Sequence, residues 1–248
     1  MAITLSLEDQ LKRLRLSGVL ETYQPRLEQA RSHSLAYEEW LGLILQDEIQ
    51  RREAQTLAKR LMKAHFEQQK TFEGYDLNRY PVKVQQTIRS LMVGQYLEEQ
   101  QHILIMGPTG TGKTHLAQAL GHQACRQGKK VRFIRANVLF RELLASRADH
   151  TWEQQFKKFL APQLLIVDDF GLKAFTSAQS EDIYELIAER HLKSSFIITS
   201  NRTVEGWLEL FPDPVMGNAA LDRISHHAHH LILESDSYRK KTRPQVQF

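Results

Sequence analysis

The sequence predicts an α/β fold, a five-stranded parallel sheet with helices on both faces, preceded by an all-helical segment. Three observations predict it. From residue 81 onward, short runs of branched apolar residues alternate with stretches of helical period, the pattern of strands joined by crossover helices. The first such run, Ile103-Leu104-Ile105-Met106, leads directly into Gly107-Pro108-Thr109-Gly110-Thr111-Gly112-Lys113-Thr114 and then a helical pattern opening at His115. Ahead of these, residues 1–70 hold a single proline, Pro25, and only helical periods.

Length and composition bound the answer. At 248 residues with 42% hydrophobic content, the chain is long enough for a sizeable core and for a small domain beside a larger one. The expected division is a helical N-terminal domain over 1–70, a linker over 71–80 and the α/β domain over 81–248. The single cysteine, Cys125, excludes a disulfide framework and a Cys-rich zinc site, and favours a reducing, cytoplasmic setting. No apolar run approaches the ~20 residues of a membrane span, and the N-terminus lacks the basic-then-apolar layout of a secretory signal. A net charge of +4 permits a nucleic-acid partner without requiring one.

In chain order, Leu7, Leu11 and Leu14 recur at helical spacing, with Ser6 ahead of Glu8-Asp9 as a cap. Ser17-Gly18 reads as a break before a second helix from about Leu20 to Ala30. A longer helix follows through Trp40, Leu41, Ile44, Leu45, Ile49, Leu57 and Leu61. Its face with Arg51, Arg52, Lys59, Arg60 and Lys63 fits either a solvated surface, since Glu48 and Glu53 are interleaved, or contact with phosphates. In the linker, Phe72 and Tyr75 suit either stacking on a nucleotide base or packing between domains. Pro81 starts a helix through Val84, Ile88 and Leu91 that leads to the first strand, near 103–106.

Strand, glycine-rich loop and helix are the context of a Walker A phosphate loop. Gly107, Gly110 and Gly112 let the backbone approach an anion closely, and N–H groups at the helix start point at the phosphates. Lys113 supplies a point charge and the Thr114 hydroxyl a ligand for Mg²⁺. Residues 107–115, from Gly107 to His115, are therefore the expected ATP contacts.

Gly128 stops the loop helix, and a second strand follows near 131–135. Asn137 reads as the cap of a helix through Leu139, Leu143 and Leu144, and another helix runs from about Thr151 to Leu160. Leu164-Leu165-Ile166-Val167 then forms a doubly buried strand that ends in Asp168-Asp169. A carboxylate at the C-terminal end of such a strand emerges where ligands bind in open α/β sheets, so Asp168 reads as the Walker B ligand of Mg²⁺. Asp169, next to it, is placed to orient and deprotonate the attacking water. After a helix from about Ala178 to Arg190, a fourth strand at 195–199 delivers Ser200 and Asn201 to the same sheet edge. Asn201, with Thr199 and Ser200 as neighbours, is the expected polar contact to the γ-phosphate or the lytic water. The fifth strand is expected near 230–234, which leaves His226, His227, His229 and His230 as its approach rather than a zinc site.

With Gly107–Ala117, Leu164–Leu172 and Ile197–Arg202 in this order, the chain resembles AAA+ ATPases of the IstB/DnaC clade, and most of all the IstB-type transposition helper ATPases of bacterial insertion sequences. Ala219-Ala220-Leu221-Asp222-Arg223-Ile224, Ser237-Tyr238-Arg239 and the N-terminal helices extend the likeness over essentially the whole chain. Thr109 stands where many relatives carry a second proline. The resemblance implies an AAA+ P-loop NTPase core in which Asn201 is sensor 1 and Arg223 is the arginine finger that reaches a neighbouring subunit's γ-phosphate. It leaves open whether Arg239 acts as sensor 2. It implies Mg-dependent ATP hydrolysis, a homo-oligomer assembled through the ATP site on double-stranded DNA, and recruitment of a cognate transposase. The alternative within the clade is a DnaC-like loader of a replicative helicase. Arg141, Arg147, Lys157 and Lys158, in the region that lines the DNA-binding surface of relatives, fit either phosphate contact or a solvated face, and so does the basic tail 239–243. The paired acids are committed to Mg-ATP, so the chain is expected to be neither a nuclease nor a strand transferase.

Overall fold

The computed structural model describes residues 5–234. The chain divides into two compact units, Met1–Lys59 and Arg60–Phe248. That boundary precedes the one expected at residue 70, and the segment 71–80, expected as a linker, lies within the second unit.

Three helices make up the first unit: α1 (Leu7–Arg13), α2 (Ser17–His33) and α3 (Tyr37–Ala64), the last running on into the second unit. Ser6 caps α1 as expected, its hydroxyl accepting from Asp9 N–H at 3.1 Å. The break falls at Leu14–Leu16, earlier than Ser17-Gly18, because α2 finds its N-terminal partner elsewhere. The Glu48 carboxylate of α3 accepts from Gly18 N–H at 2.6 Å and Val19 N–H at 3.3 Å, replacing a local cap. Gly18 permits this approach, since a Cβ there would lie 2.8 Å from the Glu48 Cα. Leu11, Val19 and Ile44 form a small buried core under Leu16, Leu20, Tyr23 and Trp40. Leu7, Leu14, Leu41, Leu45 and Ile49 share the apolar spacing yet stay exposed, since so small a core has room for few of them.

The second unit is built on β1 (His102–Met106), β2 (Val131–Arg135), β3 (Leu164–Phe170), β4 (Ser195–Ser200) and β5 (Ala228–Ile232). All neighbours are parallel, in the order β2-β3-β4-β1-β5. Strand β5 begins two residues before the expected 230 because Ala228 pairs with His102 at the start of β1. Helices α4 (Val82–Val93), α5 (Gln95–Glu98) and α6 (Lys113–Arg126) precede β2. Then come α7 (Ala136–Ala148), α8 (Trp152–Leu160), α9 (Ser177–Arg190) and α10 (Pro214–Ser225). One sheet face, with Leu104, Leu165, Val167, Phe196 and Ile198, packs under α7, α8, α9 and α10. The other carries Ile166 against Gly121 of α6. Burial on both faces explains why β1, β3 and β4 are unbroken apolar runs. Asn137 caps nothing: α7 starts at Ala136, directly off β2, with Arg135 at the cap position and no side-chain bond. Among the described residues no helix is long and apolar enough to cross a membrane.

Candidate nucleotide site

The C-terminal edge of the sheet gathers most of the expected site. Between β1 and α6 the loop adopts left-handed backbone at Gly107, Gly110 and Gly112, with φ of 145°, 89° and 93°. Only residues without a Cβ take these angles readily. Lys113 opens α6 and folds back, its Nζ donating to the carbonyls of Gly107 and Pro108 at 2.8 Å each. Thr111 Oγ1 donates to Pro108 O at 2.9 Å and closes the loop on itself.

Strand β4 lies between the loop strand and the acid strand, and its Thr199 reaches the acid strand. Thr199 Oγ1 donates to Asp168 Oδ1 at 2.5 Å and accepts from Asp169 N–H at 3.0 Å. Thr114 Oγ1 donates to the same carboxylate, 2.9 Å from Oδ1. Asp168 is buried, and burial raises its carboxyl above the ordinary value; repulsion from Asp169 adds to the rise, while the Thr199 and Thr114 hydroxyls oppose it. A buried carboxylate in contact with a threonine hydroxyl is a donor set of hard oxygens that suits Mg²⁺. The residues present therefore fit the ion that the fold implies.

Asp169 does not share that pocket. Its φ of 57° is left-handed, and the β3–β4 register shifts between Val167 and Phe170. This bulge sets the two adjacent acids apart, leaving Asp168 buried and Asp169 half-buried. Asn201 follows β4 at the same sheet edge and is exposed. The turn carrying it is anchored by Ser200 Oγ, which donates to Phe170 O at 2.8 Å and accepts from Trp207 Nε1 at 3.0 Å.

Arg223 stands apart from this group. It lies in the last turn of α10, with Nη1 donating to Ala219 O at 3.1 Å and its guanidinium 5.1 Å from the Tyr184 ring of α9. Among the described residues it forms no ion pair, with Asp222 or any other acid. Arg239 and the tail 239–243 lie outside the described residues.

Several basic candidates are already engaged. Arg51 bonds Ser17 and Glu21, and Arg52 bonds Glu48 at 2.6 Å. Arg147 pairs with buried Asp182 at 2.6 Å and lies over Trp152, and Lys158 bonds Gln155. Lys59, Arg60, Lys63, Arg141 and Lys157 have no ion pair among the described residues. His227 bonds Glu99 O and His229 bonds Gln101, so these rings tie β5 to the start of β1. Phe72 and Tyr75 pack on each other, with centroids 6.3 Å apart, and Tyr75 stacks on Tyr80. Sequence reasoning passed over Tyr80 and ranked Thr199 only as a neighbour of Asn201; the signal for Thr199 was a hydroxyl near the end of an otherwise apolar strand.

A five-stranded parallel sheet with a strand between loop and acids, and Thr114 joined to Asp168 across it, defines an AAA+ P-loop NTPase fold. The chain belongs to the IstB-like ATP binding protein family, whose model matches residues 9–246. It is 38% identical over 240 residues to a Mycobacterium tuberculosis protein named as an ATP-binding protein in an insertion sequence, covering 96% of each chain. A Sinorhizobium fredii protein named as an insertion sequence ATP-binding protein is 33% identical, over 95% of this chain and 96% of its own. Among solved structures, the DnaC helicase loader superposes with a TM-score of 0.56 at 24% identity, over 66% of this chain and 97% of that one, a likeness of fold.

Proposed function

We propose that this chain is an ATP-hydrolysing helper of DNA transposition, which assembles on double-stranded DNA when charged with ATP and recruits its partner transposase. The observation that carries the nucleotide part is the meeting of Thr114 and Asp168 oxygens beside the Lys113 loop. The relatives' names, which put them in insertion sequences, support the transposition part.

In this reading the backbone N–H groups within residues 107–115, Pro108 excepted, and the Lys113 ammonium hold the β- and γ-phosphates, Lys113 exchanging the Gly107 and Pro108 carbonyls for phosphate oxygens. Thr114 and Asp168 hold Mg²⁺, which when bound neutralises charge on the phosphates. Asp169, turned out of the metal pocket by its bulge, accepts a proton from the attacking water, and Asn201 orients that water or the γ-phosphate. Among the described residues Arg223 pairs with no acid, which suits a guanidinium offered to the next subunit's γ-phosphate. ADP and phosphate leave, the bridge between subunits weakens, and DNA is released. Residues 1–70 carry assembly and the contacts to DNA and partner. DNA is held through its backbone and deformability, largely without regard to sequence.

The test combines steady-state ATPase assays with sedimentation on duplex and single-stranded DNA. Asp169→Asn and Arg223→Ala are expected to lower turnover roughly 100-fold or more while ATP still binds. Oligomers are expected on duplex with ATP and are lost in Lys113→Ala. Preference for single strands, or normal turnover in Asp169→Asn, overturns the proposal.

A further inference from the structure

The segment 71–80 grips the phosphate loop from outside. Tyr80 is buried, and its hydroxyl donates to the Thr111 carbonyl at 2.6 Å. Its lone pair is occupied by the Tyr75 hydroxyl, which donates to it at 2.8 Å, and the two rings stack 5.8 Å apart at 18°. The Thr111 carbonyl can only accept, so Tyr80 must donate to it and Tyr75 to Tyr80, which fixes the direction of the relay. Burial, and then the bond to Tyr80, raises the Tyr75 hydroxyl above its ordinary value and keeps it protonated. Gly112 lies under the same hydroxyl: a Cβ there would sit 2.8 Å from Tyr80 Oη. His115 completes the grip, its Nε2 on Thr71 O at 2.9 Å and its ring inclined to that of Tyr75 with centroids 5.0 Å apart.

A trans peptide unit is planar, with its C=O and N–H pointing in opposite directions. Fixing the Thr111 carbonyl against Tyr80 therefore fixes where the Gly112 N–H points, on the side away from the tyrosines. Donation into the carbonyl also polarises the amide and strengthens that N–H as a donor to an anion. We propose that Tyr80 is a positioning residue of the nucleotide site, and that the Tyr75–Tyr80 relay sets affinity for the diphosphate part of the nucleotide by orienting the Thr111–Gly112 peptide. The proposal rests on the reading of residues 107–114 as the phosphate loop. An N–H that meets the diphosphate does so in substrate, transition state and ADP alike, so its contribution is uniform binding.

The experiment uses the full chain with Tyr80→Phe, Tyr75→Phe and Lys113→Ala. Fluorescent ADP and ATP analogues are titrated, and kcat and KM for ATP are measured. Tyr80→Phe is expected to weaken both nucleotides and raise KM roughly 3- to 12-fold, the span of one hydrogen bond, with kcat within about twofold. Tyr75→Phe leaves the bond to Thr111 and is expected to have a smaller effect of the same kind, which keeps the proposal testable if Tyr80→Phe folds poorly. Loss of thermal stability with unchanged KM and nucleotide affinity in both tyrosine variants overturns it. If Lys113→Ala binds nucleotide like the wild type, the loop reading itself fails; if only Lys113→Ala is impaired, the loop stands and the relay falls.

Discussion

The two units of this chain are held together by different physics. The first gathers three buried apolar side chains and relies on charged clasps, with Arg26 bidentate on Asp47 at 2.8 Å and Glu48 capping α2 while bonded to Arg52. The second encloses a sheet whose central strands are sealed on both faces. The difference shows in one set of acids from each, the clasp carboxyls of the first and the sheet-edge Asp168 of the second. In the first unit, burial by itself raises Glu48, but Arg52 and the Gly18 and Val19 N–H groups outweigh it, and the carboxyl lies below its ordinary 4.5. The bond from Arg26 likewise holds Asp47 below 3.8. In the second unit Asp168 is raised. Carboxyls lowered by folding stabilise the fold above their unfolded pKa and lose that contribution as pH falls through the folded value. A raised carboxyl does the reverse, costing stability while ionised and ceasing to as pH falls.

The largest break in this contrast comes from the sheet. Leu165→Ala empties a fully buried site and is expected to cost about 2–5 kcal/mol by denaturant titration of the second unit, with little dependence on pH or salt. Next, Glu48→Ala orphans the N–H groups of Gly18 and Val19 and is expected to cost about 1–3 kcal/mol in the first unit. That cost should be full at neutral pH and fade as the wild-type carboxyl protonates, below about pH 4.5, when stability is followed by far-ultraviolet dichroism against pH. The smallest effect has the opposite sign. Asp168→Asn is expected to stabilise the nucleotide-free protein by about 0.5–2 kcal/mol, as substitutions at strained functional sites do, while abolishing turnover. A destabilised Asp168→Asn protein in thermal melts would erase the contrast between the units.

How legible this was from sequence depended on how local the cause was. Strands β1, β3 and β4 stood out because burial on both faces leaves no polar alternation to confuse with a helix. The loop and Asp168 were legible because glycines and an acid at a strand end are local signals. Less local arrangements were hidden. Ser17-Gly18 reads as a helix break because glycine usually ends helices, whereas here it admits Glu48 from thirty residues away. Arg51 finds its partners only when α2 supplies Ser17 and Glu21, whereas the Arg52 bond to Glu48 is an i,i+4 pair within α3 and was open to reading from the interleaved acid. The capping box of Thr176 and Gln179 is a local signal, and it starts α9 at Ser177, one residue before the expected Ala178. Tyr80 had no signal, since its partner Thr111 lies thirty-one residues on in the chain.

Thr199 gives the site an adjustable gauge. From β4, beside the acid strand, one hydroxyl meets both acid residues, reaching Asp168 through its proton and the Asp169 N–H through its lone pair. Replacing it with serine would keep both bonds yet free the side chain to rotate, and valine would keep the shape while deleting both. A lineage therefore has a way to detune the proposed hydrolysis by degrees without altering a single motif residue.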